Sequence, residues 1–118
     1  MRWIVILLLA ASASPALAAD GSALFDQQCA SCHTLTDASN DLAPTLKGVV
    51  WRPLAVLRDF NYSGALKRKG GSWSPDRLDD FLKDSQAFAP GNGMYFALTD
   101  PADRKAIVDY LKAQSPGR

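Results

Sequence analysis

The run Cys29-Ala30-Ser31-Cys32-His33 decides how the rest of the chain is read. Thiols three residues apart lie on about one helical turn, so both can reach the two vinyl groups on one edge of a porphyrin. The imidazole that follows then points at the iron. This C-x-x-C-H spacing is the attachment pattern of covalently bound haem. Three other uses of the same residues compete with it. A redox C-x-x-C of the thioredoxin kind sits at a strand-to-helix junction in a βαβ unit, and no such unit is legible in this sequence. A zinc site needs a fourth ligand, and 2 Cys with 1 His leave no second pair to supply it. A disulfide across two intervening residues closes a loop too small to stabilise much.

Outward from the motif, Ser22 to Ala30 reads as a helix with Leu24 and Phe25 facing inward and Gly21 at its start. Between Thr34 and Phe60 the helical period fails, and Pro44, Gly48 and Pro53 mark loops or short turns. In a compact domain so long an irregular stretch is expected to wrap around something functional. Ser63 to Lys69 is a short helix ended by Gly70-Gly71. Ser74-Pro75-Asp76 then starts another, with Ser74 as N-cap and Leu78, Phe81 and Leu82 on one apolar face. The pattern breaks again around Pro90-Gly91-Asn92-Gly93. Asp100-Pro101 opens the last helix, lined on one side by Ile107, Tyr110 and Leu111. No segment alternates with a period of two, so the fold is expected to be all-α, with three to five short helices and long loops. Apolar faces this few cannot enclose an ordinary core alone, and they ask for a bound group in the interior.

Met1 to Ala19 has the layout of a secretory signal: Arg2 as the positive start, Ile4 to Ala11 as the apolar stretch and Ser14-Pro15-Ala16-Leu17-Ala18 as the cleavage region. The apolar stretch from Trp3 to Ala19 contains Pro15 and is short for a membrane span of about 20 residues. Residues 1–19 are therefore expected to be removed after Ala18 or Ala19, which leaves one domain over residues 20–118 in the periplasm without stable membrane insertion. Arg2 is the only charged residue lost, so 12 basic and 12 acidic residues remain. That balance lacks the basic excess a nucleic-acid partner requires. All 12 acids are Asp, for which the sequence offers no functional reason.

Cleavage also removes Met1, and Met94 becomes the single remaining methionine, 61 residues beyond His33. A lone methionine is ordinarily a core filler. This one lies in a Pro/Gly loop rather than on a helix face, which makes it the candidate for the sixth iron position opposite His33. His/Met ligation raises the reduction potential and suits electron transfer.

These residues together resemble class I c-type cytochromes, the family of mitochondrial cytochrome c and its bacterial relatives. The resemblance runs from Gly21 to Lys112 and is carried by Gly21 with Phe25, the Cys29/Cys32/His33 motif and Pro44-Thr45-Leu46-Lys47-Gly48. Further anchors are Arg52, Phe60-Asn61-Tyr62-Ser63, Trp73, the Pro90-to-Met94 loop, Phe96 and Tyr110-Leu111-Lys112. It implies helices and loops wrapped around one haem c, bound through Cys29 and Cys32, with His33 and Met94 on the iron. By the same resemblance the first helix crosses the last closely at Gly21. The Pro44 carbonyl accepts from His33, Tyr62 and Trp73 donate to a haem propionate near Arg52, and Asn92 bonds beside the Met94 loop.

Two departures stand out. Phe81 replaces a tyrosine whose hydroxyl often reaches the methionine sulfur. The docking edge is neutral, at Gln28, Gln86, Ala87 and Gly93, while basic residues gather at Lys67-Arg68-Lys69.

The implied function is a periplasmic one-electron carrier and not an enzyme. It would act as a monomer on redox partner proteins, either membrane or periplasmic oxidoreductases. Two alternatives remain: a haem enzyme or gas or peroxide sensor in which Met94 leaves the iron, and a dedicated electron-acceptor subunit of a periplasmic dehydrogenase.

Overall fold

The computed structural model describes residues 2–10 and 19–115. Five α-helices form there: α1 (Gly21–Gln28), α2 (Gly64–Lys69), α3 (Pro75–Lys83), α4 (Ser85–Phe88) and α5 (Pro101–Ala113). Every one begins on a short polar side chain that accepts from amides the helix itself cannot satisfy. Asp20 takes Ser22 and Ala23, Ser63 takes Leu66, Ser74 takes Arg77, Asp84 takes Gln86 and Ala87, and Asp100 takes Ala102. Pro75 and Pro101 sit in first turns, where a missing N–H is no loss. The expected helix to Ala30 stops earlier: Cys29 is the C-cap of α1, and the motif continues as a separate turn. Helix α4 was not legible in the sequence, because a single turn leaves no periodicity to read.

The all-α expectation holds among the described residues, where the only extended pairing is an isolated antiparallel bridge between Pro53 and Ser72. It belongs to a short backbone ladder: Trp51 donates to the Trp73 carbonyl at 2.7 Å, Trp73 to Arg52 at 2.9 Å and Leu54 to Gly71 at 2.8 Å. To enter it, Trp51 takes a left-handed backbone, φ 68°. For a bulky residue that costs about 1–3 kcal/mol.

Helices α1 and α3 both pack on α5, and α4 packs on α3. Phe25, Leu78, Phe81, Leu82, Ile107, Val108 and Leu111 supply the helical part of the core, and Val49, Val50, Leu54 and Trp73 reach it from the loops. Where α1 meets α5, Phe25 and Tyr110 place their rings 5.6 Å apart. A side chain on Gly21 would run into the Ala106 carbonyl and come within 2.8 Å of the Tyr110 Cβ. The close crossing expected at Gly21 is therefore present, with Ala106 as an additional contact.

Residues 2–10 are exposed and carry no helix or strand. No helix among the described residues is long and apolar enough to cross a membrane. The expected cleavage region Ser14 to Ala18 lies outside the described residues.

Gly21→Ala forces α1 away from α5 and should cost about 1–3 kcal/mol. At this chain length that lowers the thermal midpoint by about 4–8 °C per kcal/mol, measurable by circular dichroism of the haem-loaded protein. An unchanged midpoint would show that the crossing has slack.

Candidate functional site

The last turn of α1 is extended by Cys32 and His33, whose amides both donate to the Cys29 carbonyl, at 3.2 and 2.9 Å. One turn thus carries two thiols and an imidazole. Both cysteines are free thiols. Cys29 is buried against the core, and burial pushes its thiol up to about 11, so it stays protonated at neutral pH and is a poor nucleophile. Cys32 is exposed. A buried protonated thiol beside an exposed one suits attachment to a group seated between core and solvent better than disulfide exchange does.

His33 Nδ1 lies 2.8 Å from the Pro44 carbonyl oxygen. A carbonyl only accepts, so Nδ1 bears the hydrogen and Nε2 keeps its lone pair for a metal. Burial is the main cause that lowers the His33 pKa; the Pro44 bond pulls it back, and the Arg52 charge adds to the lowering. The ring is held neutral, as a ligand must be.

Arg52 is buried, and its Nη1 donates to the carbonyls of Thr45 at 3.0 Å and Lys47 at 3.2 Å, which closes the loop around Pro44. Tyr62 is also buried, and its hydroxyl has no hydrogen-bond partner among the described residues. Burial raises the Tyr62 pKa and the Arg52 charge pulls it part of the way back; the Leu57 amide lies near enough to add to the lowering without meeting hydrogen-bond geometry. Trp73 is buried, 5.1 Å from the Phe81 ring centroid and stacked on Phe88 at 5.5 Å. A buried phenol near a guanidinium, with no partner of its own, is a donor that a carboxylate would satisfy. With two free thiols and a tautomer-fixed imidazole on one turn, the residues present fit a covalent haem.

The loop after α4 is held by side chains. Asn92 is fully buried; its Nδ2 donates to the Ser85 and Ala89 carbonyls, both at 2.8 Å, and its Oδ1 accepts from the Met94 amide at 2.8 Å. Met94 itself is half-buried and packs against the core. The sequence reading placed Asn92 correctly but missed Ser85, whose hydroxyl bonds the Met94 carbonyl and the Phe96 amide. Gln86, expected on the docking edge, turns inward instead: its amide meets the Asn92 carbonyl, the Met94 carbonyl and the Gly91 amide. Gln28, Ala87 and Gly93 are exposed as expected. Asn40 was also missed; it bonds the Cys32 carbonyl at 2.9 Å and so buttresses the thiol turn. A polar residue two or three before a loop ligand is a readable signal. A serine on a one-turn helix is not.

A family model described as cytochrome c matches residues 18–115. The chain is 39% identical over 92 residues to cytochrome c-type cyt cy of Rhodobacter capsulatus, covering 77% of this chain and 46% of that protein, so it spans about half of that relative's length. It is 35% identical over 104 residues to cytochrome c of Ulva intestinalis, covering 86% of this chain and 94% of the relative. Among solved structures, cytochrome cH from Methylobacterium extorquens superposes with a TM-score of 0.73 at 32% identity, over 79% of this chain and 94% of the other.

Asn92→Ala would leave the Met94 amide without its partner, while the Ser85 and Ala89 carbonyls keep only their backbone donors. At about 1–3 kcal/mol for a buried group left unsatisfied, the haem-loaded protein should lose about 1–3 kcal/mol in denaturant unfolding. A loss below about 0.5 kcal/mol would mean that the loop is held without this residue.

Proposed function

The chain belongs to the cytochrome c family, whose members carry electrons on one covalent haem c, and on that premise we propose a periplasmic one-electron carrier with His33 and Met94 as its axial ligands. When bound, haem c supplies a single electron's change between ferric and ferrous iron. The chain's own residues supply the setting. Cys29 and Cys32 hold the ring edge through thioethers. The Pro44 carbonyl fixes the His33 ring and raises the basicity of Nε2. Tyr62 and Trp73, with Arg52 close by, receive the propionates. Asn92 anchors the loop that offers the Met94 thioether, a soft donor that favours the ferrous state.

The observation that carries this reading is the His33–Pro44 bond on a turn with two free thiols, in a chain whose methionine loop is tied down by a fully buried Asn92. The exposed residues Gln28, Ala87 and Gly93 give redox partner proteins a neutral surface. One feature favours the second reading, a haem protein whose Met94 leaves to admit peroxide or a diatomic gas: Phe81 has no hydroxyl to offer the sulfur and is buried among Trp73 and Phe88. Against it stand the hydrogen bonds that Asn92, Ser85 and Gln86 make to the loop.

The oxidised wild-type protein should show the sulfur-to-iron charge-transfer band. Met94→Ala should keep the covalent haem, lose that band and lower the reduction potential. An unchanged potential would assign the sixth position to another group.

Asp20 caps α1, so the first helix begins directly after the expected cleavage positions. The mature exported protein is accordingly expected to begin at Ala19 or Asp20 by intact-mass measurement. A periplasmic chain retaining Met1 would replace the cleaved signal with an anchor.

A further inference from the structure

Every polar backbone and side-chain group of Ser85 is engaged with the chain around Met94. Ser85 is 0% exposed. Its amide donates to the Phe96 carbonyl at 3.0 Å, and its own carbonyl accepts from Asn92 Nδ2 at 2.8 Å. Its hydroxyl donates to the Met94 carbonyl and accepts from the Phe96 amide at 2.9 Å. One oxygen therefore grips the peptide units on both sides of Tyr95, which points into solvent at 81% exposure. Only a hydroxyl can do this, because it donates and accepts through the same atom.

The grip is anchored at its other end. Ser85 opens α4, capped by Asp84, whose amide in turn bonds Asp80 of α3. A second tie runs from the Leu98 amide to the Leu82 carbonyl at 2.9 Å. The segment from Met94 to Leu98 is thus docked on the corner between α3 and α4, and of these ties to the two helices the hydroxyl is the one that reaches Met94 itself. Gln86 Nε2 adds a longer contact to the same carbonyl, at 3.3 Å. Phe81, on the adjoining wall of α3, contributes packing but no polar contact.

We propose that Ser85 is the positioning residue that keeps Met94 on the iron, acting through the Met94 carbonyl rather than its sulfur. This rests on the Met94 reading above. Because the bond is made to the backbone of Met94 itself, releasing it loosens the carbonyl side of the Cα that sets the reach of the thioether, while Asn92 still holds the amide side. In a chain with no hydroxyl at residue 81, retention of the sulfur rests on these backbone ties, and Ser85 supplies the one that also grips Phe96.

The test is displacement of Met94 by imidazole in the oxidised, haem-loaded full-length protein, followed by loss of the sulfur-to-iron charge-transfer band. Ser85→Ala orphans the Phe96 amide and frees the Met94 carbonyl, and should lower the imidazole concentration at half-displacement about tenfold. Gln86→Ala loosens the same carbonyl with less disturbance and should lower it about threefold. Ile107→Val, buried between α1 and α5, reduces stability without touching the loop, and should leave the midpoint within about twofold of wild type. Equal shifts in Ser85→Ala and Ile107→Val, or none in Ser85→Ala and Gln86→Ala, overturn the positioning role. A wild-type spectrum that lacks the band before imidazole is added overturns the Met94 reading, and this role falls with it.

Discussion

The hydrogen bond from His33 to the Pro44 carbonyl ties the end of α1 to a stretch that has no helix until residue 64. Backbone groups in such a stretch still need partners, and here side chains provide them. Asn40 accepts from the Leu42 and Ala43 amides while donating to the Cys32 carbonyl. The buried Thr45 hydroxyl donates to the Thr36 carbonyl and accepts from the Lys47 amide. Asp59 accepts the Ser39 amide and hydroxyl, both at 2.8 Å, which holds its carboxyl below the usual range and keeps the tie charged well into mild acid. Arg52 closes the set through Thr45 and Lys47. The orientation of one imidazole thus rests on a loop held by the side chains of Ser39, Asn40, Thr45, Arg52 and Asp59, which remove the need for helix in the stretch that carries Pro44.

The methionine side is built on a different principle. There the loop is short, it follows a one-turn helix, and three neighbouring side chains, Ser85, Gln86 and Asn92, bond its backbone directly. A long loop fixed at many points yields gradually when one contact is lost. A short loop fixed by adjacent residues on one corner of the fold yields at once. The two sides of the site therefore differ in how they fail: the histidine side is redundant, and the methionine side is concentrated on a few atoms.

What the sequence disclosed follows the same division. The cap at Ser74, the Asp100-Pro101 opening of α5, the apolar face of α3 and the glycine under α5 are local signals, each confined to a few adjacent residues, and the structure has all of them. The motif at Cys29 was legible from its own spacing, and the carbonyl at Pro44 through resemblance to the cytochrome c family. Helix α4 was invisible because Asp84 ends α3 and caps α4 at once, so the break falls within a single residue. The inward turn of Gln86 and the grip of Ser85 depend on that break, and so were hidden with it. The left-handed backbone of Trp51 was equally unreadable, since tertiary pairing with residue 73 imposes a conformation its own side chain opposes.

The same logic explains why a domain this small leaves a buried phenol without a partner. An unsatisfied hydroxyl in the interior costs about 1–3 kcal/mol, and in a chain whose helices are this short few apolar contacts remain to offset it. Burying Tyr62 near Arg52 is unfavourable in the polypeptide alone and would become less so with a carboxylate to accept from the hydroxyl. The propionates of haem c would be that carboxylate, and its ring would add the apolar area the helices lack. Folding and haem loading then form one linked equilibrium, in which the polypeptide's least stable features are those that the cofactor satisfies.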